Sequence, residues 1–169
     1  GGGSIFKNGV YEQVKSALAD INLIEFGGIE ANPTYETLMK AIEMVKREEI
    51  TFLLAVGGGS VVDGTKFIAA GSCFQGEDAW DILSKGATVK SAVPFGCVLT
   101  LPATGSEMNS GAVISRKSTQ EKLSFGSQHT FPQFSILDPK TTFSLPKKQI
   151  RNGIVDTFVH TVEQYLTYP

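Results

Sequence analysis

The sequence predicts an α/β domain built on a doubly wound parallel sheet, because apolar strand-like runs alternate with segments of helical periodicity. Two of these runs, residues 51–56 and 93–100, are apolar almost throughout, as expected of strands buried on both faces of a parallel sheet. Small residues follow each run and suit a ligand site at the carboxyl edge of such a sheet. A chain of 169 residues is long enough for one domain of this kind with a sizeable core.

Local signals place the other elements of this domain. Val10, Val14 and Leu18 lie at helical spacing in the first segment, and Pro33 suits the first turn of the second helix. Three glycines precede the third helix, which is predicted to open at Ser60. The predicted helices cover residues 5–19, 32–47 and 60–71, and a further short strand covers residues 23–26.

The pattern changes in the last third of the chain. Two β-prone runs, residues 112–116 and 122–125, flank a polar stretch and predict a β-hairpin set on the main sheet. A last strand is predicted at residues 134–137, and Pro146 precedes a long helical stretch that reaches Tyr165. The predicted domains are an α/β domain and the beginning of a helical domain, over residues 1–145 and 146–169.

Composition argues against several classes of function. The net charge is −2 and the basic residues are scattered, so nucleic acid is not an expected partner. The apolar runs are too short to span a bilayer and no segment has the pattern of a signal peptide, so no membrane is expected either. Cys73 and Cys97 follow no metal-binding spacing, so we expect reduced core cysteines in a cytoplasmic protein.

A glycine-rich turn carries the stronger of two phosphate-binding signals. A buried strand is predicted to enter the glycines at residues 57–59, where backbone N–H groups at a helix N-terminus suit a pyrophosphate. A tight turn would also use glycine, but three in succession exceed what a turn needs. Ser60 is a candidate N-cap and phosphate ligand, and Asp63 could meet backbone, ribose or substrate. Lys66 is predicted either to reach the phosphate or to be solvated.

A second polar loop follows the second buried strand. Thr100, Thr104 and Ser106 offer hydroxyl groups to an amide or a phosphate at the carboxyl edge of the sheet. Taken alone, this stretch suits a capped loop as well as a binding site. No Gly-x-Ser-x-Gly or Cys-His arrangement accompanies it, so nucleophilic hydrolysis is not favoured.

Asp156 and His160 lie four residues apart in the last predicted helix, which places a carboxylate and an imidazole on one face. Such a pair could supply two ligands to a zinc or ferrous ion, with further ligands needed to complete the site. The alternative is a surface aspartate beside a partly buried histidine. The other histidine, His129, is predicted to lie in a loop and is not assigned as a ligand.

Three stretches resemble the iron-containing (group III) alcohol dehydrogenase family, namely residues 57–63, 100–107 and 152–164. Residues 25–33 are similar to its branch of NADPH-dependent aldehyde reductases and butanol dehydrogenases. The resemblance covers essentially the whole chain and corresponds to the N-terminal part of the family's sequence. It implies a Rossmann-like, dehydroquinate synthase-like domain followed by the first helix of a truncated, all-helical metal-binding domain.

The resemblance also implies residue roles. The first glycine-rich loop would face the adenosine ribose, where Gly3 and Ser4 in place of an acidic residue favour NADP. The second loop would bind the pyrophosphate, and Asp63 would lie near the nicotinamide. The implied cofactor-binding residues are Gly1, Gly2, Gly3, Ser4, Gly58, Gly59, Ser60, Asp63, Thr100, Thr104 and Lys122. The implied ligands of Fe²⁺, or of Zn²⁺, are Asp156 and His160, with two histidines from later helices expected to complete the site.

The implied function is the reversible, metal-assisted reduction of an aldehyde to a primary alcohol with NADPH, by a homodimeric parent protein. Two alternatives stay open from the sequence. One is a zinc-dependent polyol dehydrogenase of the glycerol type. The other is a catalytically inactive nucleotide-binding fragment, because no histidine follows His160 and the chain is expected to be a piece of a longer protein.

Overall fold

The computed structural model describes residues 3–167, with only the backbone described at Ser4. The α-helices are α1 (Val10–Ala17), α2 (Tyr35–Arg47), α3 (Gly59–Cys73), α4 (Asp81–Ser84) and α5 (Lys147–Leu166). The strands are β1 (Leu53–Gly58), β2 (Phe95–Leu101), β3 (Gly111–Arg116), β4 (Glu121–Gly126) and β5 (Ser135–Leu137). Short 3-10 turns lie at Ser4–Phe6, Ser106–Met108, Gln128–Thr130 and Pro139–Ser144.

A parallel three-stranded sheet in the order β1-β2-β5 forms the centre of the described chain. The central strand β2 pairs with both neighbours, so that Cys97 lies beside Ala55 on one side and Ser135 on the other. Every residue of β2 except Leu101 is buried. The two long apolar runs are therefore confirmed as strands, and so is the predicted last strand, β5. Burial on both faces is confirmed for β2 only, because β1 is half-buried except at Ala55 and Gly57.

The core lies between the sheet and helices α2 and α3. Leu38 of α2, Val62 and Phe67 of α3, and Phe95 of β2 are all completely buried. Helix α3 is covered on most sides because α2, β1 and β3 all pack against it. This packing fixes the N-terminus of α3 directly beyond the end of β1.

The predicted hairpin is confirmed, and it forms its own two-stranded antiparallel sheet rather than extending the main one. Its inner face buries Ala112 and Ile114, and β3 packs on α3. Leu123 and Phe125 of β4 also contact the core. Lys122 alternates with them on β4 and is exposed, as the two-residue period of a strand requires.

Arg116 anchors the far end of the hairpin. Its guanidinium carbon lies 4.6 Å from the centre of the Tyr35 ring and 5.5 Å from that of Trp80. Its Nη2 atom lies 3.4 Å from Asp78 Oδ2, and the Tyr35 hydroxyl donates to Asp78 Oδ1 at 2.7 Å. Burial, with the Asp78 carboxylate beside it, raises the pKa of Tyr35 to about 12. The hairpin is thus attached to α2 by the stacking of Arg116 on Tyr35, and to the segment before α4 by the charge of Asp78.

Two predictions near the N-terminus are wrong in detail. The helix predicted over residues 5–19 begins only at Val10, because Gly9 adopts a left-handed conformation with φ of 79° and interrupts the helix. The strand predicted over residues 23–26 does not form. A strand needs a partner for its backbone, and within residues 3–167 none lies beside this segment. Glu25 is held instead by Lys15 Nζ at 2.7 Å.

The predicted long helix is confirmed as α5, and none of its described residues is buried. Its exposed apolar side chains are Ile150, Ile154, Val155, Phe158, Val159, Tyr165 and Leu166. A helix with this many exposed apolar residues is typical of one that belongs to a larger core. The domain boundary at residue 145 stays a prediction. No helix in residues 3–167 combines the length and apolar character needed to cross a bilayer.

Candidate functional site

A cavity of about 530 Å³ opens where the carboxyl ends of β1 and β2 meet the hairpin. Four residues implied by the family resemblance line it: Ser60, Asp63, Thr104 and Lys122. The residues that line it besides these are Asn32, Pro33, Ser106, Asn109, Gly111, Ala112, Val113, Ser124 and Phe125. The structure therefore brings together side chains from α3, the loop after β2 and both strands of the hairpin.

The glycine loop forms one wall of this site. Helix α3 begins at Gly59, and a Cβ atom placed there would lie 2.8 Å from Thr104 Cγ2, closer than real side chains approach. Only glycine therefore lets the two loops touch. The prediction of Ser60 as N-cap is wrong, since the N-cap is Gly58 and no side chain caps the helix. The first-turn N–H groups are thus not satisfied by a cap, which suits an anion.

Asp63 lies one turn into α3 and uses both carboxylate oxygens. Oδ1 accepts a hydrogen bond from Ser106 Oγ at 2.6 Å, and Oδ2 accepts one from Val113 N at 3.0 Å. The carboxylate therefore joins α3 to the loop after β2 and to β3. The contact of Asp63 with the cofactor stays a prediction. In the structure both of its carboxylate oxygens already form hydrogen bonds within the protein.

The two threonines occupy different positions. Thr104 is exposed at the cavity, and its Oγ1 accepts a hydrogen bond from Ser106 N at 3.3 Å. Thr100 is buried within β2 and is absent from the lining of the cavity. Thr104 is therefore placed to contact a cofactor in the cavity, whereas a contact from Thr100 stays a prediction.

Lys66 takes neither of the two predicted positions. Its side chain is completely buried, and Nζ donates to Asn109 Oδ1 at 2.9 Å and to Gly111 O at 2.7 Å. Burial lowers the pKa of this ammonium group to about 8, while Asp63 nearby opposes the shift. Lys66 supports the wall of the cavity from behind, because Asn109 and Gly111 both line it.

Asn32 is a site residue that reasoning from the sequence missed. Its Oδ1 accepts a hydrogen bond from Lys122 Nζ at 2.9 Å, and its φ of 57° places it in the left-handed region. A local signal was present, since asparagine is enriched among non-glycine residues in that region. Its partner could not be found locally, because the two residues lie 90 positions apart.

The first glycine-rich loop is only partly described. Gly1 and Gly2 lie outside the described residues, so their predicted roles stay predictions. Gly3 has a φ of 75°, and a Cβ atom placed on it would meet no atom within 4 Å. There is space for a side chain at this position, although only at the cost of a left-handed backbone.

The candidate metal ligands lie on α5, in the geometry that their spacing predicts. His160 Nε2 is 3.7 Å from Asp156 Oδ1, and the two side chains are 63% and 56% exposed. Within the described residues His160 is therefore exposed rather than partly buried, and the assignment of the pair as metal ligands stays a prediction. In the part of the chain that the structure describes, no group of three His, Cys, Asp or Glu side chains could hold an ion. The pair suits two ligands of a metal site and not a complete one.

A parallel α/β sheet with a glycine-lined helix N-terminus and a polar cavity at its carboxyl edge defines a domain of the dinucleotide-binding class. Comparison with known sequences identifies the family. The chain belongs to the iron-containing alcohol dehydrogenases, whose sequence pattern matches residues 1–139. The resemblance noted in the sequence is thus confirmed.

Individual relatives extend this similarity over the whole chain. The NADPH-dependent aldehyde reductase YqhD of Escherichia coli is 60% identical over 100% of the chain, which covers 44% of that protein. A probable NADH-dependent butanol dehydrogenase of Bacillus subtilis is 53% identical over 98% of the chain and 43% of its own length. The crystal structure of E. coli YqhD superposes with a TM-score of 0.95, covering 100% of this chain and 44% of that one. The chain therefore spans less than half the length of these relatives.

Proposed function

We propose that the chain is the cofactor-binding part of an enzyme that reduces aldehydes to primary alcohols, reversibly, with NADPH. The observation that supports this most is the cavity that joins the glycine loop of α3 to Thr104 and Lys122. A hydride donor held at the carboxyl edge of the sheet would lie along this cavity. The similarity to YqhD, an NADPH-dependent aldehyde reductase, supports the same reaction.

The residues of the chain would divide the work of binding. The uncapped N–H groups at the start of α3 would hold the diphosphate, and the close contact of Gly59 with Thr104 leaves room there for backbone alone. Ser60 would add a hydroxyl donor beside them. Asp63, anchored by Ser106, would keep the floor of the cavity in place.

A metal ion is the second element of the proposal. Asp156 and His160 fit two of its ligands, because a carboxylate oxygen and an imidazole nitrogen lie on one helix face. An iron or zinc ion, when bound, would act as a Lewis acid towards the carbonyl oxygen of the aldehyde. The remaining ligands would come from outside the described residues. The dimeric state of the parent protein stays a prediction.

Preference for NADP rests on the first glycine-rich loop. Gly3 has no acidic side chain that would repel a 2′-phosphate, and a Cβ atom placed on it would meet no atom within 4 Å. The named relatives divide on this point, since the B. subtilis protein is named for NADH and the E. coli protein for NADPH. The higher identity to the NADPH enzyme favours NADP.

The proposal is tested by following NADPH oxidation with butyraldehyde and added Fe²⁺ or Zn²⁺. The assay compares this chain with a version extended to the length of its relatives. We expect NADPH to bind both proteins and turnover to occur only in the extended one, because that one supplies the other metal ligands. Glycerol and NAD run in parallel test the polyol alternative. Failure of both proteins to bind either dinucleotide would contradict the proposal.

A further inference from the structure

The contact between Asn32 and Lys122 is built on a rigid support. Ser115 N of β3 donates to Pro33 O at 2.9 Å, and Thr34 forms a bridge with Ser115, so the segment after Asn32 is fixed to the hairpin. Lys122 lies opposite Ser115 in the antiparallel register of the same hairpin. Both partners of the contact are therefore attached to one small sheet.

The charge of Lys122 is not neutralised by this contact. The amide oxygen of Asn32 accepts one of its three N–H groups, and no carboxylate in residues 3–167 forms an ion pair with it. Lys117, on the turn of the same hairpin, differs in this respect. Its Nζ lies 3.1 Å from Glu30 Oε1, and it does not line the cavity. The hairpin thus carries one paired lysine outside the cavity and one unpaired lysine at it.

The backbone conformation of Asn32 suits an asparagine that accepts a hydrogen bond from Lys122. A φ of 57° strains most residues, whereas asparagine, aspartate and glycine tolerate it. Among these three, glycine has no acceptor, and aspartate would bring a negative charge to the ammonium group. Asparagine alone combines the backbone conformation with a neutral acceptor.

We propose that Asn32 is a positioning residue that holds Lys122 at the cavity with its charge uncompensated, so that the ammonium group donates to an oxygen of the bound dinucleotide. This inference rests on the proposed function and adds a residue to it. The oxygen belongs either to the phosphate on the nicotinamide side of the diphosphate or to a hydroxyl of the nicotinamide ribose, and both lie beyond the adenosine half of the cofactor. Asn32 acts through Lys122 and makes no contact with the cofactor in this account.

The test measures binding in the extended version of the chain, by titrating NADPH, 2′-phospho-ADP-ribose and 2′,5′-ADP by calorimetry. The variants are Asn32→Gly, Asn32→Asp, Lys122→Met and Asn32→Gly with Lys122→Met. Lys117→Met is the matched control, since it removes the same charge from the same hairpin at a position away from the cavity. Circular dichroism and the thermal midpoint verify folding of each variant.

We expect Asn32→Asp and Lys122→Met each to weaken NADPH and 2′-phospho-ADP-ribose about tenfold and Asn32→Gly about threefold. Affinity for 2′,5′-ADP, which lacks the diphosphate bridge and second ribose, stays unchanged. Asn32→Asp also lowers the dependence of binding on salt, because the ammonium group is then paired within the protein. In the Lys122→Met background, Asn32→Gly adds nothing, since the two residues act as one unit.

Additive losses in the double variant would overturn the inference, as would a loss for Lys117→Met equal to that for Lys122→Met. Normal binding by a folded Asn32→Asp protein would do the same. These results leave the proposed function intact, because the unsubstituted protein still binds NADPH. Absence of NADPH binding by the unsubstituted protein removes both proposals together.

Discussion

Ser106 donates a 2.6 Å hydrogen bond to Asp63, a residue 43 positions earlier in the chain. Ser106 is only 2% exposed, so water does not replace this donor if it is lost. The second oxygen of the carboxylate binds Val113 N. One aspartate therefore fixes the loop after β2 and the start of the hairpin against α3, and the shape of the cavity depends on it.

We predict that Ser106→Ala lowers the free energy of unfolding by about 1.5–3 kcal/mol, the range for a hydrogen bond to a charged group. Chemical denaturation followed by circular dichroism measures the change. Ser144→Ala is the control, because that hydroxyl is exposed and bonds only Thr141 O at 3.3 Å. If the two substitutions lowered the free energy of unfolding equally, the bond to Asp63 would contribute no more stability than an exposed hydrogen bond.

Lys66 predicts an unusual dependence of stability on pH. Burial lowers its pKa from 10.5 to about 8, so between these values the unfolded chain binds a proton that the folded chain has released. Stability contributed by this group is therefore lowest below pH 8 and rises as the pH approaches 10.5. The full change is on the order of 3 kcal/mol for such a shift.

Lys66→Met is expected to remove this rise. The measurement is the free energy of unfolding from pH 7 to 11, in which the difference between variant and unsubstituted chain isolates Lys66. Lys40→Met, at an exposed position of α2, serves as the control. The same slope in the Lys66→Met protein and the unsubstituted one would show that the buried ammonium group is not the source.

Elements with a strong local pattern were predictable from the sequence. Helices α2 and α5 follow from helical spacing, and β1 and β2 follow from continuous apolar runs, because both signals reside in neighbouring residues. The prediction of a strand over residues 23–26 was wrong, because an apolar run forms a strand only beside a second strand that pairs with its backbone. Sequence pattern contains no information on whether that partner is present.

The residues of the candidate site also differ in how far the sequence predicted them. The glycine loop could be predicted because consecutive glycines mark a backbone that approaches another group closely. Lys66 could not be placed, since its partners Asn109 and Gly111 lie more than 40 positions away. Contacts of that kind depend on how α3 and the hairpin pack, which residue spacing along the chain does not reveal.

Gly59 is expected to tolerate no side chain. In Gly59→Ala, the new methyl group would collide with Thr104 Oγ1, its nearest neighbour, and would lie 2.8 Å from Cγ2 and 3.1 Å from Cβ of the same residue, so one of the two segments must move. Overpacking of this kind costs about 1–3 kcal/mol. We expect a lower free energy of unfolding and weaker NADPH binding by calorimetry.

Thr104→Ala relieves most of this clash, because it removes Oγ1, the atom nearest to the new methyl group, together with Cγ2. Combined with Gly59→Ala, it is expected to restore some of the lost stability, although Thr104→Ala alone has little effect on stability because Thr104 is exposed. Gly153→Ala is the control, because a Cβ atom at that position of α5 meets nothing within 4 Å. No recovery in the double variant would mean that the collision with Thr104 does not cause the loss.

Gly3→Asp is expected to shift cofactor preference from NADPH towards NADH. The carboxylate would enter open space and repel a 2′-phosphate, while an NADH ribose hydroxyl could donate to it. Because φ at this position is 75°, any side chain also strains the backbone. Gly3→Asn carries that strain without the charge and is the matched control. The measurement is the ratio of kcat/KM with NADPH to that with NADH in the extended protein. Equal ratios in Gly3→Asp and Gly3→Asn would contradict the assignment of NADP preference to this loop.

The proposed metal site predicts a sharp difference among Asp156, His160 and Glu163 of α5. His160 Nε2 faces Asp156 Oδ1 at 3.7 Å, and its other ring nitrogen lies 3.7 Å from Glu163 Oε2, beyond hydrogen-bond distance. In the extended protein, Asp156→Ala and His160→Ala should each lose bound iron or zinc during gel filtration, whereas Glu163→Ala should retain it. Metal content by mass spectrometry measures this, and NADPH binding verifies that each variant keeps its fold. Retention of the metal by Asp156→Ala, or equal loss in Glu163→Ala, would contradict the assignment of Asp156 and His160 as the pair that holds the ion.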